Sequence, residues 1–531
     1  MAAAGYPSEK AINMEQKQIV KNILQLIPPE RYTNALVKLF FDECNDNYCL
    51  LDRDDFYKQY EDWWVVQRSN PVKMDLDFLK LLLRVLAISL QFASPQEEGF
   101  LSDLKESIPE TSEKFHRVAL SLSTETPPSS ITHCQEQLLE ASWYKHEGLV
   151  RESWFSLGKA IRCAQELGMH REKLCTDEVD QKYIQACKIL WWTLYSWDRA
   201  MSIMLGRPLG IEDKYCNTSL PTIPVSRDMR ILHESRGIFT HPMQVRIKEI
   251  EISIFSTKIC ELLYEPVDLE KFQNLEWDLE VFVKSFKGIP LSKEQLESEA
   301  CLNEHSIQMH AEIYFTSRIS LLWCSIYKLV AFKSSDIPEY QNYYSYAAKK
   351  LQKYSCDLIR VNICTFRRLK PQCYKNFGCV LYIFEPCLLL CILLFRRPDD
   401  CDWQEAENTV KEGLHVLETL RHHGRLASIS FAIIYELLAK VKQLAMESPY
   451  STVSSNDSSI DLRRLEQQTP NMSGDSSLAT PNSSTAMFDY GSSFLNEETS
   501  KFLSTLDLLY SDKTDDDSIS QFLNLGWVSN I

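Results

Sequence analysis

Between Trp143 and Pro221 two amphipathic stretches run in tandem, and they constrain the fold more than any other part of the chain. Val150, Trp154, Leu157, Ile161 and Ala164 recur at steps of three and four, which places them on one face of an α-helix. Tyr183, Cys187, Leu190, Leu194, Trp197, Met201 and Met204 repeat the pattern downstream. Gly168 stands where a left-handed C-terminal cap is wanted, and Gly206 with Pro208 ends the second helix. Apolar stripes of this width must be covered by other helices, so the pattern calls for helix-on-helix packing.

The rest of the chain agrees. There are 15 glycines in 531 residues, too few for a turn-dense β architecture. Helical spacing recurs over 52–64, 72–92, 132–143, 243–264, 275–286, 306–332, 343–362, 376–395, 403–422 and 426–446, with a weaker stretch within 95–126. Convincing β-alternation beside turn signals is not found. The reading is an all-α fold, an array of packed helical hairpins. The most apolar run, CVLYIFEPCLLLCILLF from Cys379, is slightly short for a bilayer span and carries Glu385-Pro386 near its centre. A buried, kinked core helix and no membrane partner are expected.

Composition divides the chain into an N-terminal segment (1–33), a helical body (34–446), a linker (447–493) and a tail (494–531). Residues 451–493, rich in Ser, Thr, Asn and Pro, cannot bury enough apolar surface to offset their ordering entropy, so the linker reads as disordered. The net charge is −16, and from Ala445 onward thirteen acidic residues face four basic ones. More than half of the excess therefore sits in this stretch, from Ala445 to Ile531. Such a balance opposes nucleic-acid binding through a basic surface. In the tail, acids alternate with Phe502, Leu506, Leu509, Tyr510, Phe522 and Trp527. This suits either an activation segment that folds in a partner groove or a helix that docks on the protein's own body.

No phosphate-binding glycine loop, nucleophile elbow or metalloprotease helix is present; His146-Glu147 begins an HExx pattern, but Val150 and Arg151 follow. The 17 cysteines are scattered and odd in number, and the first residues carry no secretory signal, so reduced thiols are expected. A binuclear zinc cluster needs several close thiolate pairs on one short segment, and Cys44 with Cys49 is the only pair near the N-terminus. Buried free cysteines behave as small hydrophobes, and no cofactor or metal is expected.

The segments SWFSLGKAIRCAQELGMHRE and LWWTLYSWDRAMSIMLGRPLGIED, with SLP after them, resemble the middle regulatory region of fungal zinc-cluster transcription factors. The resemblance is most specific over 34–264 and weaker through 446. Its signature residues here are Trp154, Gly158, Gly168, His170, Trp191, Trp192, Asp198, Arg199, Gly206, Arg207, Pro208 and Pro221. Two departures stand out. Relatives usually carry a glutamate and a run of arginines where this chain has Gln185-Ala186-Cys187-Lys188-Ile189, and the N-terminal zinc cluster of the family is not found.

The resemblance implies a nuclear regulator of RNA polymerase II transcription in a fungus, an activator of metabolic or secondary-metabolite genes rather than an enzyme. Its partners would be transcription machinery or co-regulators, a small-molecule effector and a second subunit in a homo- or heterodimer. DNA would be reached through a partner, because the zinc cluster does not carry over. A helical scaffold or sensor is the alternative, and an enzyme without recognisable motifs is a third. Physically the signature residues read mainly as packing, with the tryptophan pair filling two inter-helix gaps and Asp198 pairing with Arg207 across the turn. Their functional reading is an effector or partner surface at the same turn.

Overall fold

The computed structural model describes residues 22–45, 49–69, 75–93, 107–122, 130–172, 178–223, 230–231, 237–262, 268–286, 307–333, 335, 337–369, 374 and 376–447. Every regular element among them is helical. The linker beyond Glu447 and the tail, with Phe502, Leu506, Leu509, Tyr510, Phe522 and Trp527, lie outside the described residues.

Helix starts follow the capping chemistry of the sequence. After Pro28-Pro29, α1 (Glu30–Leu39) leads into a π-helical turn, Phe40–Asn45, and then α2 (Arg53–Ser69). Asp75 accepts from the amides of Asp77 and Phe78 and so starts α3 (Leu76–Gln91) four residues later than the apolar pattern suggests. A capping box of Ser107 and Glu110 opens α4 (Ile108–Ser121), and Ser130 opens α5 (Ile131–His146). Then come α6 (Val150–Glu166) and α7 (Glu178–Leu205), the tandem pair of the signature, followed by α8 (Pro242–Leu262).

Asp268 caps α9 (Leu269–Ser285), six residues earlier than periodicity alone indicates. Next are α10 (Ile307–Tyr327) and α11 (Pro338–Leu369), the latter longer than expected at both ends. Asn376 caps α12 (Phe377–Arg396), and Asp402 caps α13 (Trp403–Leu420), with α14 (Arg425–Glu447) last among the described residues.

Neighbours in sequence are mostly neighbours in space. α5 packs on α6, and both α4 and α5 cover α3; α7 joins α6 to α8; α10, α11 and α12 pack in succession, with α13 and α14 closing over α12. Helix α12 is long and apolar enough to cross a membrane, and 89% of that window is buried inside the structure. It runs through Pro386 as one continuous helix. The missing Pro386 N–H leaves Tyr382 without an intrahelical donor, yet the helix is held from both sides. Glu385 is tolerated there because Lys328, just past α10, donates to it at 2.9 Å with both groups buried.

A second buried ionic network lies between α3 and α5. Arg84 has no exposed surface; its Nε donates to Glu136 at 2.8 Å and its Nη2 to Glu140. Lys80 Nζ adds a contact to Glu136 at 3.3 Å, and Ser156 of α6 donates to Glu140 at 2.7 Å. Arg84 Nη1 donates to His116 Nδ1 of α4 at 2.6 Å, while the imidazole stacks on Trp143 with ring centroids 3.6 Å apart. Burial, followed by the charges of Arg84 and Arg117, pushes the His116 pKa down to about 2.

Two outcomes follow. Lys328→Met strands the Glu385 carboxylate and should cost about 3–5 kcal/mol, whereas Lys328→Met with Glu385→Leu should recover most of that loss; chemical denaturation of the two variants measures the difference. His116 is depressed from 6.5 to about 2 in the fold, so its contribution is complete above pH 6.5 and is lost as pH falls toward 2. Between pH 7 and pH 5 the wild type should lose about 2 kcal/mol more than His116→Gln, read from urea unfolding at each pH.

Candidate functional site at the turn after the long helix

The carboxyl end of α7 is closed by backbone geometry that glycine permits. Gly206 has φ 57°, and the Arg207 amide reaches back to the Ser202 carbonyl at 3.1 Å. Gly168 does the same for α6 with φ 69°, the Met169 amide bonding the Ala164 carbonyl at 3.0 Å. Both glycines act as the sequence predicts.

Beyond Gly206 the chain returns antiparallel along α7, held by successive clasps. Asp198, 3% exposed, accepts from the amides of Gly210 (2.9 Å) and Ile211 (3.0 Å). Arg199, with no exposed surface, donates to Asp198 at 2.9 Å, to Asp213 and to Thr257 of α8 at 3.2 Å. The Tyr195 ring lies under this guanidinium at 3.7 Å, and its hydroxyl donates to Asp213 at 3.0 Å. Burial raises the Asp198 pKa, while Arg199 and the two loop amides oppose that shift.

Further along, Trp192 Nε1 donates to the Ser219 carbonyl at 3.1 Å, and Lys188 reaches Glu172 (2.7 Å) and the Ser219 hydroxyl. Thr218 donates to the Met169 carbonyl at 2.6 Å, and the Asn217 amide bonds the His170 carbonyl at 3.0 Å. Pro221 is buried, and the Thr222 amide then donates to Gln185 at 2.9 Å. From Asp198 to Gln185 these clasps cover about 20 Å of helix. They tie α6, α7 and α8 together through one irregular strap.

Most of the signature residues meet in this strap. Trp191 is fully buried beside His170, with ring centroids 5.8 Å apart, and burial lowers the His170 pKa. Trp192, a quarter-turn on, is half-buried and holds the strap, so the two tryptophans do fill different gaps. The expected Asp198–Arg207 pair is not formed. Arg199 and the loop amides take the Asp198 carboxylate, and the glycine turn carries Arg207 to the face of Trp154, 4.9 Å from its centroid. Trp154 is accordingly half-buried rather than core. Tyr183, placed by spacing on the core stripe, is exposed, because the buried part of α7 begins at Cys187. Gly158 is exposed with open space where a Cβ would lie, so packing does not require glycine there.

Several contributors to the strap are unmarked in the sequence. Tyr195, Asp213, Thr257 and Glu172 give no local signal, although Tyr195 and Arg199 sit four apart on one helical face. Gln185 and Lys188, noted for departing from the family pattern, prove to be strap contacts. Lys145 of α5 lies 3.5 Å from the Trp197 ring, and burial, then Arg246, brings its pKa to about 7. Among the described residues no group of three or more His, Cys, Asp or Glu side chains is placed to hold a metal ion.

Asp198→Ala would leave the Gly210 and Ile211 amides and a buried guanidinium without their acceptor, an expected loss of about 3–5 kcal/mol. Asp213 is 47% exposed, so Asp213→Asn should cost below about 1 kcal/mol. Thermal unfolding ranks the two variants, and limited proteolysis should cut Asp198→Ala first within 206–222.

The fungal specific transcription factor domain matches residues 37–324, a span that contains the whole strap. An uncharacterised transcriptional regulatory protein of Schizosaccharomyces pombe is 26% identical over 57% of this chain and 37% of its own length. The probable transcription factor sol4 of Alternaria solani is 25% identical over 38% of this chain and 36% of its own. The positive regulator of purine utilization of Emericella nidulans is 23% identical over 37% and 23%, respectively. The chain thus spans well under half the length of these relatives. Among solved structures, a chain of the K. lactis CBF3 core aligns over 81% of this chain and 92% of its own, with TM-score 0.51 and 12% identity, a likeness of fold alone. With its signature helices, glycine turn and strap inside the matched span, the chain belongs to the fungal specific transcription factor domain family.

Proposed function

We propose that the chain is a nuclear transcriptional regulator and not an enzyme. Its helical body is the sensing and partner-binding part, and its acidic tail contacts transcription machinery or co-regulators. The carrying observation is that the family match covers the strap-and-helix unit, and the relatives that share it are named as transcription factors and regulators. The body supports the reading physically. The polar chemistry around Asp198, Arg199 and Asp213 consists of ion pairs and hydrogen bonds that hold a shape.

DNA is reached in this proposal through a bound partner or second subunit, since a surface of net negative charge is repelled by phosphate. The regulated genes are metabolic, in keeping with the named role of the purine-utilisation relative. The body responds to a small-molecule effector. Tethered to an unrelated DNA-binding domain, the full chain should raise reporter transcription several-fold, and removing 494–531 should abolish the rise. A tagged chain that stays out of the nucleus and leaves the reporter unchanged would sink the proposal.

A further inference from the structure

Seven lysine and arginine side chains are buried among the described residues: Lys80, Arg84, Lys188, Arg199, Arg246, Arg318 and Lys328. Six of them have a carboxylate within ion-pairing distance: Lys80 and Arg84 on Glu136, Lys188 on Glu172, Arg199 on Asp198, Arg246 on Glu249, and Lys328 on Glu385. Arg318 of α10 is the exception. It is 5% exposed, its Nη1 donates to the Tyr382 hydroxyl at 3.0 Å, and its Nε is buried with no partner among the described residues. Among the described residues the groups that act on its charge are the phenols of Tyr382 and Tyr314, with no carboxylate among them.

The position of Tyr382 places this guanidinium. Its ring folds back over the first turn of α12, where Cε2 lies 3.6 Å from the point a Cβ of Gly378 would occupy. Asn376 already caps that turn, accepting from the Gly378 amide at 2.8 Å. Arg318 therefore stands beside the positive pole of a 20-residue helix, and both features favour negative charge. The Nε and Nη2 edge of a guanidinium presents two parallel donors matched to two oxygens of a carboxylate or phosphate. A buried cation costs several kcal/mol unless an anion answers it, and no side chain among the described residues does so.

We propose that Arg318, with Tyr382 and the amino end of α12, forms a binding site for a small-molecule oxyanion, a carboxylate or phosphate. This rests on the effector-responsive reading above and gives that effector its chemistry. The site lies on α10 and α12, away from the strap. The oxyanion sits on the Nε–Nη2 edge, and Tyr314 and Tyr382 flank it.

The experiment is thermal unfolding of the purified full chain in sodium phosphate, and separately in sodium acetate, against sodium chloride at equal ionic strength. The wild type should show a saturable rise in Tm of at least about 2 °C in one of the two. Arg318→Met should lose the saturable rise while unfolding no lower than wild type in chloride, since methionine removes an uncompensated charge. Arg318→Lys keeps the charge but not the fork, and its half-saturating concentration should be about tenfold higher. A phosphate response without an acetate response assigns a phosphate ligand, and the converse a carboxylate. The site is refuted if neither anion gives a saturable rise, if Arg318→Met retains it, or if Arg318→Lys binds as well as wild type. Because the readout is anion binding, failure here leaves the regulator reading standing, and failure of the tethered reporter leaves the site standing.

Discussion

A carboxylate cut off from water must find acceptable donors within the protein, and Asp198 is the point on which this half of the molecule turns. Its two oxygens receive two backbone amides and a guanidinium, so the residues after the glycine turn have one place to go. Arg199 carries the constraint outward. Its remaining donors need Asp213 and Thr257, which brings the strap and α8 to the same side of α7. Apolar packing alone would let these elements slide with modest loss; directional bonds to buried charges do not.

The same logic recurs at two other junctions. Lys80 and Arg84 on one helix meet Glu136 and Glu140 on another, each pair four residues apart, so the contact sets the rotation of α3 against α5. Lys328 and Glu385 fix where α10 ends relative to the apolar α12. In each case neutral, well-packed residues could give comparable stability, so the ionic contacts act chiefly on register. Arg318 breaks the rule, which is why it stands out from the other buried cations.

Legibility in the sequence was uneven for physical reasons. The helices and glycine stops were readable because periodicity and caps are local; the late start of α3 and the early start of α9 trace to Asp75 and Asp268, whose side chains hold their own amides. The site was half readable. Trp191, Trp192, Asp198 and the Gly206 turn stand out in the sequence, but the partner of Arg207 does not. Distance along the chain favoured Asp198, whereas the glycine turn carries Arg207 toward α6 and an adjacent arginine already satisfies the carboxylate. The strap contacts of Lys188 with Glu172, and of Trp192 with Ser219, join residues 16 and 27 apart across an irregular path that no period encodes.

By itself the amino-acid order determined a helical array, the positions of most of its helices, the turn that ends the long one and the family to which the chain belongs. These depend on backbone propensities and side-chain periodicity, which act within a few residues. Tertiary structure alone decided which buried charge answers which, that Lys80 and Arg84 are interior residues, and that no carboxylate among the described residues lies beside Arg318. Ion pairing depends on distances between separate helices, and those distances exist only after the helices have packed.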